Sequence, residues 1–303
     1  MIFLMRSVCV LFVAVVLAGC RVSEDESGPT AGASVGSGGG MQQIINVSSY
    51  DPKEQQRGGR SYSQHDVSAL RSNGAKGLIA RAGKGGELDR KCVDFVGSAD
   101  RAGMLPGLYY RVQRHVSIST QADQFSNRAL ELARGRNWNA PSLLLVGDYD
   151  GDLPLSSIVK FMDRVQARTG VIPVTYLENS PQLKQQTSSA DPKTRAALLR
   201  APYWLALYSH ETGAETPEVL VGQYGLWPNW TMWQYGGVEW KNGRSHPKVY
   251  SNGSYRNSLY FGDMDRPLER NVFRGSEEDL LAFWHRHGVS LQAPQSANLA
   301  MVD

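Results

Sequence analysis

From Gln43 to Tyr235 short apolar runs alternate with longer amphipathic ones, and this rhythm restricts the fold more than any other property of the chain. Ile44–Val47, Ala75–Ala82, Leu105–Val112, Leu143–Asp148, Val171–Leu177, Tyr203–Tyr208 and Thr231–Tyr235 have the length and composition of strands. Between them Asp66–Arg71, Asp89–Ala102, Gln121–Arg134 and Leu155–Thr169 carry apolar residues at helical spacing. Strands that alternate with helices pair in parallel, because each helix returns the chain to the same edge of the sheet. The expected class is therefore α/β, a TIM-barrel-like (β/α) barrel. Its second half should be irregular, since helical spacing fades after Arg200. A last helix, Glu277–His287, begins at a Ser276 cap with acids in its first turn.

One strand ends in chemistry. Leu143-Leu-Leu-Val-Gly-Asp-Tyr-Asp-Gly-Asp152 is an apolar run followed by Asp148 and Asp150, one residue apart. On a strand, residues i and i+2 face the same way, so both carboxyls should project from the C-terminal end. Parallel barrels build their active sites at that end. Two acids there fit acid–base work on a sugar or an ester, or a divalent cation site, or a polar turn capping the next helix. A calcium loop lacks the Gly and Glu spacing it needs, and His65 and His115 have no partner at metal-ligand spacing. Neither a metal nor another cofactor is expected.

The first forty residues follow other rules. Met1–Leu17 holds one charge, Arg6, and a nearly continuous apolar run, as secretory signals do. Leu17-Ala18-Gly19-Cys20 resembles a bacterial lipobox, which implies a signal peptide over 1–19 and lipidation of Cys20. Two or more acyl chains on one residue anchor a protein stably where one does not. Residues 20–40 turn acidic and then Gly- and Ser-rich, a flexible tether spanning roughly 25 Å. The folded domain is expected over 41–290 and a disordered tail over 291–303. Arg21 after the cysteine implies an outer-membrane lipoprotein facing the periplasm if the cell is Gram-negative. With Cys9 removed and Cys20 lipidated, Cys92 has no disulfide partner and should pack as a small apolar residue. The net charge of +3 is too mild to point to nucleic acid, and a monomer is expected.

Taken in order, the segments resemble glycoside hydrolase family 25, the lysozymes or N-acetylmuramidases with an irregular βα barrel. The family's opening D-x-S is matched by Asn46-Val47-Ser48, and its K-A-T-E-G by Arg81-Ala82-Gly83-Lys84-Gly85. G-x-Y-H is matched by Gly107-Leu108-Tyr109-Tyr110, and Q-A-D by Gln121-Ala122-Asp123. D-x-E is matched by Asp148-Tyr149-Asp150, and W-Q-Y by Trp233-Gln234-Tyr235. Ala167-Arg168-Thr169-Gly170 with Pro173 and Tyr176, and Tyr203–Tyr208, fall between these last two. Leu268–Gly275 echoes the closing V-D-x-N-x-F-x-G. The resemblance implies hydrolysis of the β-1,4 bond between N-acetylmuramic acid and N-acetylglucosamine, with peptidoglycan strands as partner.

It also implies roles. Asp150 stands where the family's proton donor stands, and Asp148 where its partner stands. Asn46, Lys84, Tyr109, Tyr176, Glu178, Trp233, Gln234 and Tyr235 would line the substrate cleft. Trp204 and Tyr208 are expected in the core. Three positions depart from the family: Asn46 replaces an aspartate, Lys84 a glutamate, and Asp150 a glutamate one methylene longer. Loss of about 1.5 Å of reach matters, because misplacement by about 1 Å can cost on the order of a hundredfold in rate. An ammonium beside Asp150 would hold it ionised. Two readings follow, a glycan hydrolase or a degenerate relative that binds peptidoglycan and anchors or regulates cell-wall enzymes.

Overall fold

The structure, a computed structural model, describes residues 40–51, 62–135, 137–207, 216–242, 244–250 and 268–291. The signal peptide, Cys20, most of the tether, Tyr208 and the tail after Leu291 lie outside the described residues.

Eight strands close into a barrel. In spatial order they are β1 (Met41–Val47), β2 (Ala75–Lys84), β4 (Leu105–Val112), β5 (Ser142–Tyr149), β6 (Val174–Leu177), β7 (Tyr203–Ala206), β8 (Met232–Lys241) and β10 (Glu269–Arg274). Every neighbouring pair from β1 to β8 runs parallel, while β10 pairs antiparallel with both β8 and β1. The closing strand therefore runs backwards, and its first residue, Glu269, lies at the same mouth as the C-terminal ends of the others. Three short strands sit off the ring. β3 (Glu87–Leu88) folds back on β2, β9 (Arg244–Val249) on β8, and β11 (Gly288–Ser290) on β5.

Helices α1 (Gln64–Ser72), α2 (Cys92–Arg101), α3 (Ile118–Arg134) and α4 (Leu155–Thr169) alternate with the first strands as their periodicity predicts. Beyond them come α5 (Pro181–Ser188), α6 (Pro192–Leu198), α7 (Pro217–Tyr224) and α8 (Glu277–Arg286). Ser276 and Asp279 form a capping box at the start of α8. Cys92 is fully buried at the start of α2, and burial pushes its thiol up to about 12.

Some boundaries depart from the sequence reading: α2 starts three residues later, at Cys92, and α3 three residues earlier, at Ile118. β6 starts at Val174 rather than Val171, because Pro173 has no N–H to give to a ladder. β8 runs six residues past Tyr235 into a hairpin whose turn contains Asn242 at φ 53. The Asn242-Gly243 pair there is a strong hairpin marker.

Side-chain alternation sorts the strands into two cores. One set packs outward under the helices. The other fills the barrel with Ile44, Ile79, Leu144, Val146, Val174, Trp204, Met232 and Phe273, one or two from each of seven strands. Trp284 of α8 plugs the bottom of this inner core. It is fully buried, and its indole N–H donates to the Pro106 carbonyl at 2.7 Å. A Cβ on Gly77 would lie 3.2 Å from the same ring. Removing a ring of this size from a site that cannot collapse costs about 3–5 kcal/mol. Trp284→Ala should lower unfolding free energy by that amount in urea titration.

Candidate active site

Strand parity decides which residues meet at the mouth. Counting in twos from the inner core gives Asn46 on β1, Arg81 on β2, Tyr109 and Arg111 on β4, Asp148 on β5 and Tyr176 on β6, with Glu178 just beyond its end. Gln234 on β8 and Glu269 on β10 complete the set. All of them line one cleft of about 480 Å³, within the usual range for a ligand site. Lys84 joins them by a different route. The β2–β4 ladder shifts register between Arg81 and Gly83, a bulge that resets parity and pairs Lys84 with Arg111.

Under the cleft lies a fully engaged amide network. Asn271 is fully buried, donates to the Asn46 side-chain oxygen at 2.7 Å and to the Ile44 carbonyl at 3.2 Å, and accepts from the Trp204 indole at 3.2 Å. Gln234 donates to Asn46 at 3.2 Å and accepts from the Tyr176 hydroxyl at 2.6 Å. Asn46 in turn donates to the Glu269 carboxylate. An ionised aspartate at position 46 could make none of that last bond, since it has no donor. The neutral Asn46 thus suits its partner, and Trp204, expected in the core, forms both inner core and cleft wall.

Arg111 organises the acids above this floor. Its Nε lies 2.7 Å from an Asp150 carboxylate oxygen, and another guanidinium nitrogen lies 2.6 Å from Glu178. Burial works against the Arg111 charge, but Asp148, Glu178 and Asp150 more than offset it and hold the group above its ordinary value. Glu178 also accepts from the Gly151 N–H at 3.2 Å. Asp148 is different. It is 7 % exposed, one carboxyl oxygen accepts no hydrogen bond, and burial pushes the group up to about 7. Arg111 opposes that rise, while Glu178, Asp150 and Glu269 reinforce it.

Several expectations need correction. Asp148 and Asp150 do not project together, because β5 ends at Tyr149 and the chain turns, with the Leu153 N–H bonded to the Asp150 carbonyl. Asp150 lies behind Arg111 and Gln113 rather than among the cleft-lining residues. The cation beside it is Arg111, and no ion pair joins Lys84 to Asp150 among the described residues. Trp233 and Tyr235 point away from the cleft, since they alternate with Gln234. Both are fully buried, Trp233 donating to the Leu207 carbonyl and Tyr235 to Gln43. Asn46, Lys84, Tyr109, Tyr176, Glu178 and Gln234 do reach the cleft. Among the described residues no group of three or more His, Cys, Asp and Glu side chains could hold a metal ion.

Sequence reasoning missed Arg111, Glu269 and Tyr50. Arg111 was legible from parity with Tyr109, and Glu269 from its place in the closing motif. Tyr50 lines the cleft with 46 % of its surface exposed, its ring 4.9 Å from the Arg81 guanidinium. Arg81 is itself held by Asp89 at 3.2 Å and donates to Ser49 at 3.0 Å.

Carboxyls gathered at the C-terminal mouth of a closed barrel, one held half-protonated near neutrality, are the equipment of a barrel glycosidase. The family model of glycosyl hydrolases family 25 matches residues 45–243, more than half of the 303. The chain belongs to glycosyl hydrolases family 25. Among solved structures, it is similar to the bacterial lysozyme from Streptomyces coelicolor at 22% identity and TM-score 0.54, covering 84% of this chain and 100% of that one. A family GH25 lysozyme from Aspergillus fumigatus gives 19% identity and TM-score 0.50, over 80% of this chain and 99% of that one. The catalytic domain of endolysin ply40 from bacteriophage P40 of Listeria monocytogenes gives 15% and 0.51, over 81% and 97%. No curated protein matches the chain at a significant level.

The Asp148 shift has a consequence for stability. Its folded value lies above that of the unfolded chain, so the folded state binds the extra proton between about pH 4 and 7. Stability contributed by this group is full below that window and lost as pH rises through it, by a few kcal/mol in order of magnitude. Asp148→Asn should therefore raise the melting temperature by an amount that grows from pH 4 to pH 7 and levels off above, as calorimetry at a series of pH values would record.

Proposed function

We propose that the chain hydrolyses the β-1,4 bond between N-acetylmuramic acid and N-acetylglucosamine in peptidoglycan, with Asp148 as its proton donor. The observation that carries this is the state of Asp148: a buried carboxyl at the cleft floor, held near neutrality with one oxygen free of partners. Glycosidic cleavage needs an acid that still holds its proton near pH 7 and carboxylates that face the positive charge of an oxocarbenium-like transition state. Asp148 meets the first need. Glu178 and Glu269, which line the same cleft, meet the second. Asp150, at the family's donor position, serves instead to hold Arg111, whose charge sets how far Asp148 can rise.

Sacculi digested by the full-length chain in detergent should release reducing muramic-acid ends. Asp148→Asn should reduce release by about a hundredfold or more, the usual worth of a general acid, and Asp150→Asn by far less. The rate should fall as pH rises through about 7, because the donor is lost above its own value. Product release that survives Asp148→Asn at the wild-type rate would reject the assignment.

A second reading, glycan binding without cleavage, is favoured by the Arg111 guanidinium, which engages both Asp150 and Glu178. Saturable sacculus binding with no product at any pH would establish it in place of the first.

The address inferred from Leu17–Cys20 suits either reading, since a lipidated Cys20 and a flexible tether would hold the barrel beside the cell wall. Cys20→Ala should move the protein from the membrane fraction to the soluble fraction on centrifugation.

A further inference from the structure

Resting on the glycan reading, we propose that Lys84 makes the cleft selective for strands whose muramic-acid lactyl groups carry a free carboxylate, unsubstituted by peptide. Two carboxylates besides Asp148, namely Glu178 and Glu269, line the cleft and would repel an anionic sugar. Two of the cations that line it are already committed, Arg81 to Asp89 and Arg111 to Asp150 and Glu178. Lys84 pairs with no carboxylate among the described residues. Lys248 on β9 lines the cleft as well. A neutral glycan would gain only a hydrogen bond from an unpaired ammonium here, whereas a substrate carboxylate would add the attraction of an opposite charge.

The backbone that carries Lys84 is built to hold it in place. Gly85 and Gly86 make the β2–β3 turn at φ 54 and 95, conformations that side chains rarely adopt. The Gly85 N–H donates to the Arg111 carbonyl at 3.2 Å and the Gly86 N–H to the Tyr110 hydroxyl at 2.9 Å. Gln124 donates to the Gly86 carbonyl at 3.0 Å and accepts from the same tyrosine at 2.9 Å. On the other side of Lys84, a Cβ at Gly83 would lie 2.5 Å from the Glu87 carbonyl oxygen and 2.7 Å from the Tyr110 ring, so the hairpin closes tightly on both. The lysine therefore stands on a pinned turn rather than a loose loop, and less freedom is lost when it engages a ligand. Tyr50, following the neighbouring strand β1, offers an exposed ring that Arg81 steadies from beneath, and it lines the same cleft. A sugar stacked on Tyr50 with its lactyl carboxylate on Lys84 uses both groups.

The test compares two ligands by calorimetry on the full-length chain in detergent, in an Asp148→Asn background to prevent cutting. One is a tetrasaccharide of alternating N-acetylglucosamine and N-acetylmuramic acid with free lactyl carboxylates. The other is the same tetrasaccharide with those carboxylates converted to amides. The free acid should bind about tenfold more tightly, as a charge-assisted contact predicts, and the ratio should shrink in high salt. Lys84→Gln should bring the ratio close to one, Lys84→Arg should keep it, and Lys84→Glu should invert it, all at unchanged melting temperature. A wild-type ratio of one, or a ratio that Lys84→Gln leaves intact, overturns the inference while the glycan reading stands. Failure of the unsubstituted Lys84 chain to bind either tetrasaccharide overturns both.

Discussion

Closure of eight strands into one ring is the constraint from which the rest of the molecule follows. Once the ring closes, every second residue of each strand must point inward, and the interior has room for little beyond those side chains. Apolar inward residues fill the lower layers, and Trp284 stops the bottom. The uppermost inward positions are polar and have nowhere to go but the mouth. That the ring closes at all depends on β10 fitting antiparallel between β8 and β1, which also delivers Glu269 to the same rim.

The site that results is governed by burial more than by the number of its acids. Asp148 sits deepest and rises towards neutrality, while Arg111, with three carboxyls nearby, keeps its charge and spaces them apart. The amide network of Asn46, Gln234 and Asn271 pairs the amides beneath the cleft, which leaves the Asp148 carboxyl as the buried polar group there with an oxygen unpaired. Departures from the family pattern fit this arrangement. Asn46 donates to Glu269, and Asp150 meets the Arg111 guanidinium.

Much of this was legible in the residues. Strand and helix alternation located β1, β2, β4 and β5 and the helices between them closely, because each has a clean period of its own. β10 was visible only as a motif echo, since six residues with the sequence Glu-Arg-Asn-Val-Phe-Arg carry too few apolar side chains for a period to show. Among the cleft residues that the family motifs implied, Tyr109, Tyr176 and Gln234 share the parity of an inner-core neighbour and reach the cleft. Two others have the opposite parity and do not. Trp233 and Tyr235 lie one residue either side of Gln234 and so face the opposite way.

The order of residues alone therefore specified the class of fold, the strand that bears the acids and some of the side chains that reach the cleft. It could do so because periodicity and local composition act within a few residues. Whether Asp148 or Asp150 faces the cleft, which cation meets which acid, and how far burial lifts a carboxyl depend on where strands end and what packs across the ring. Those are contacts between residues tens to hundreds of positions apart, as between Asn46 and Asn271 or Arg111 and Glu178. No local pattern encodes them, and the closed barrel sets them all at once.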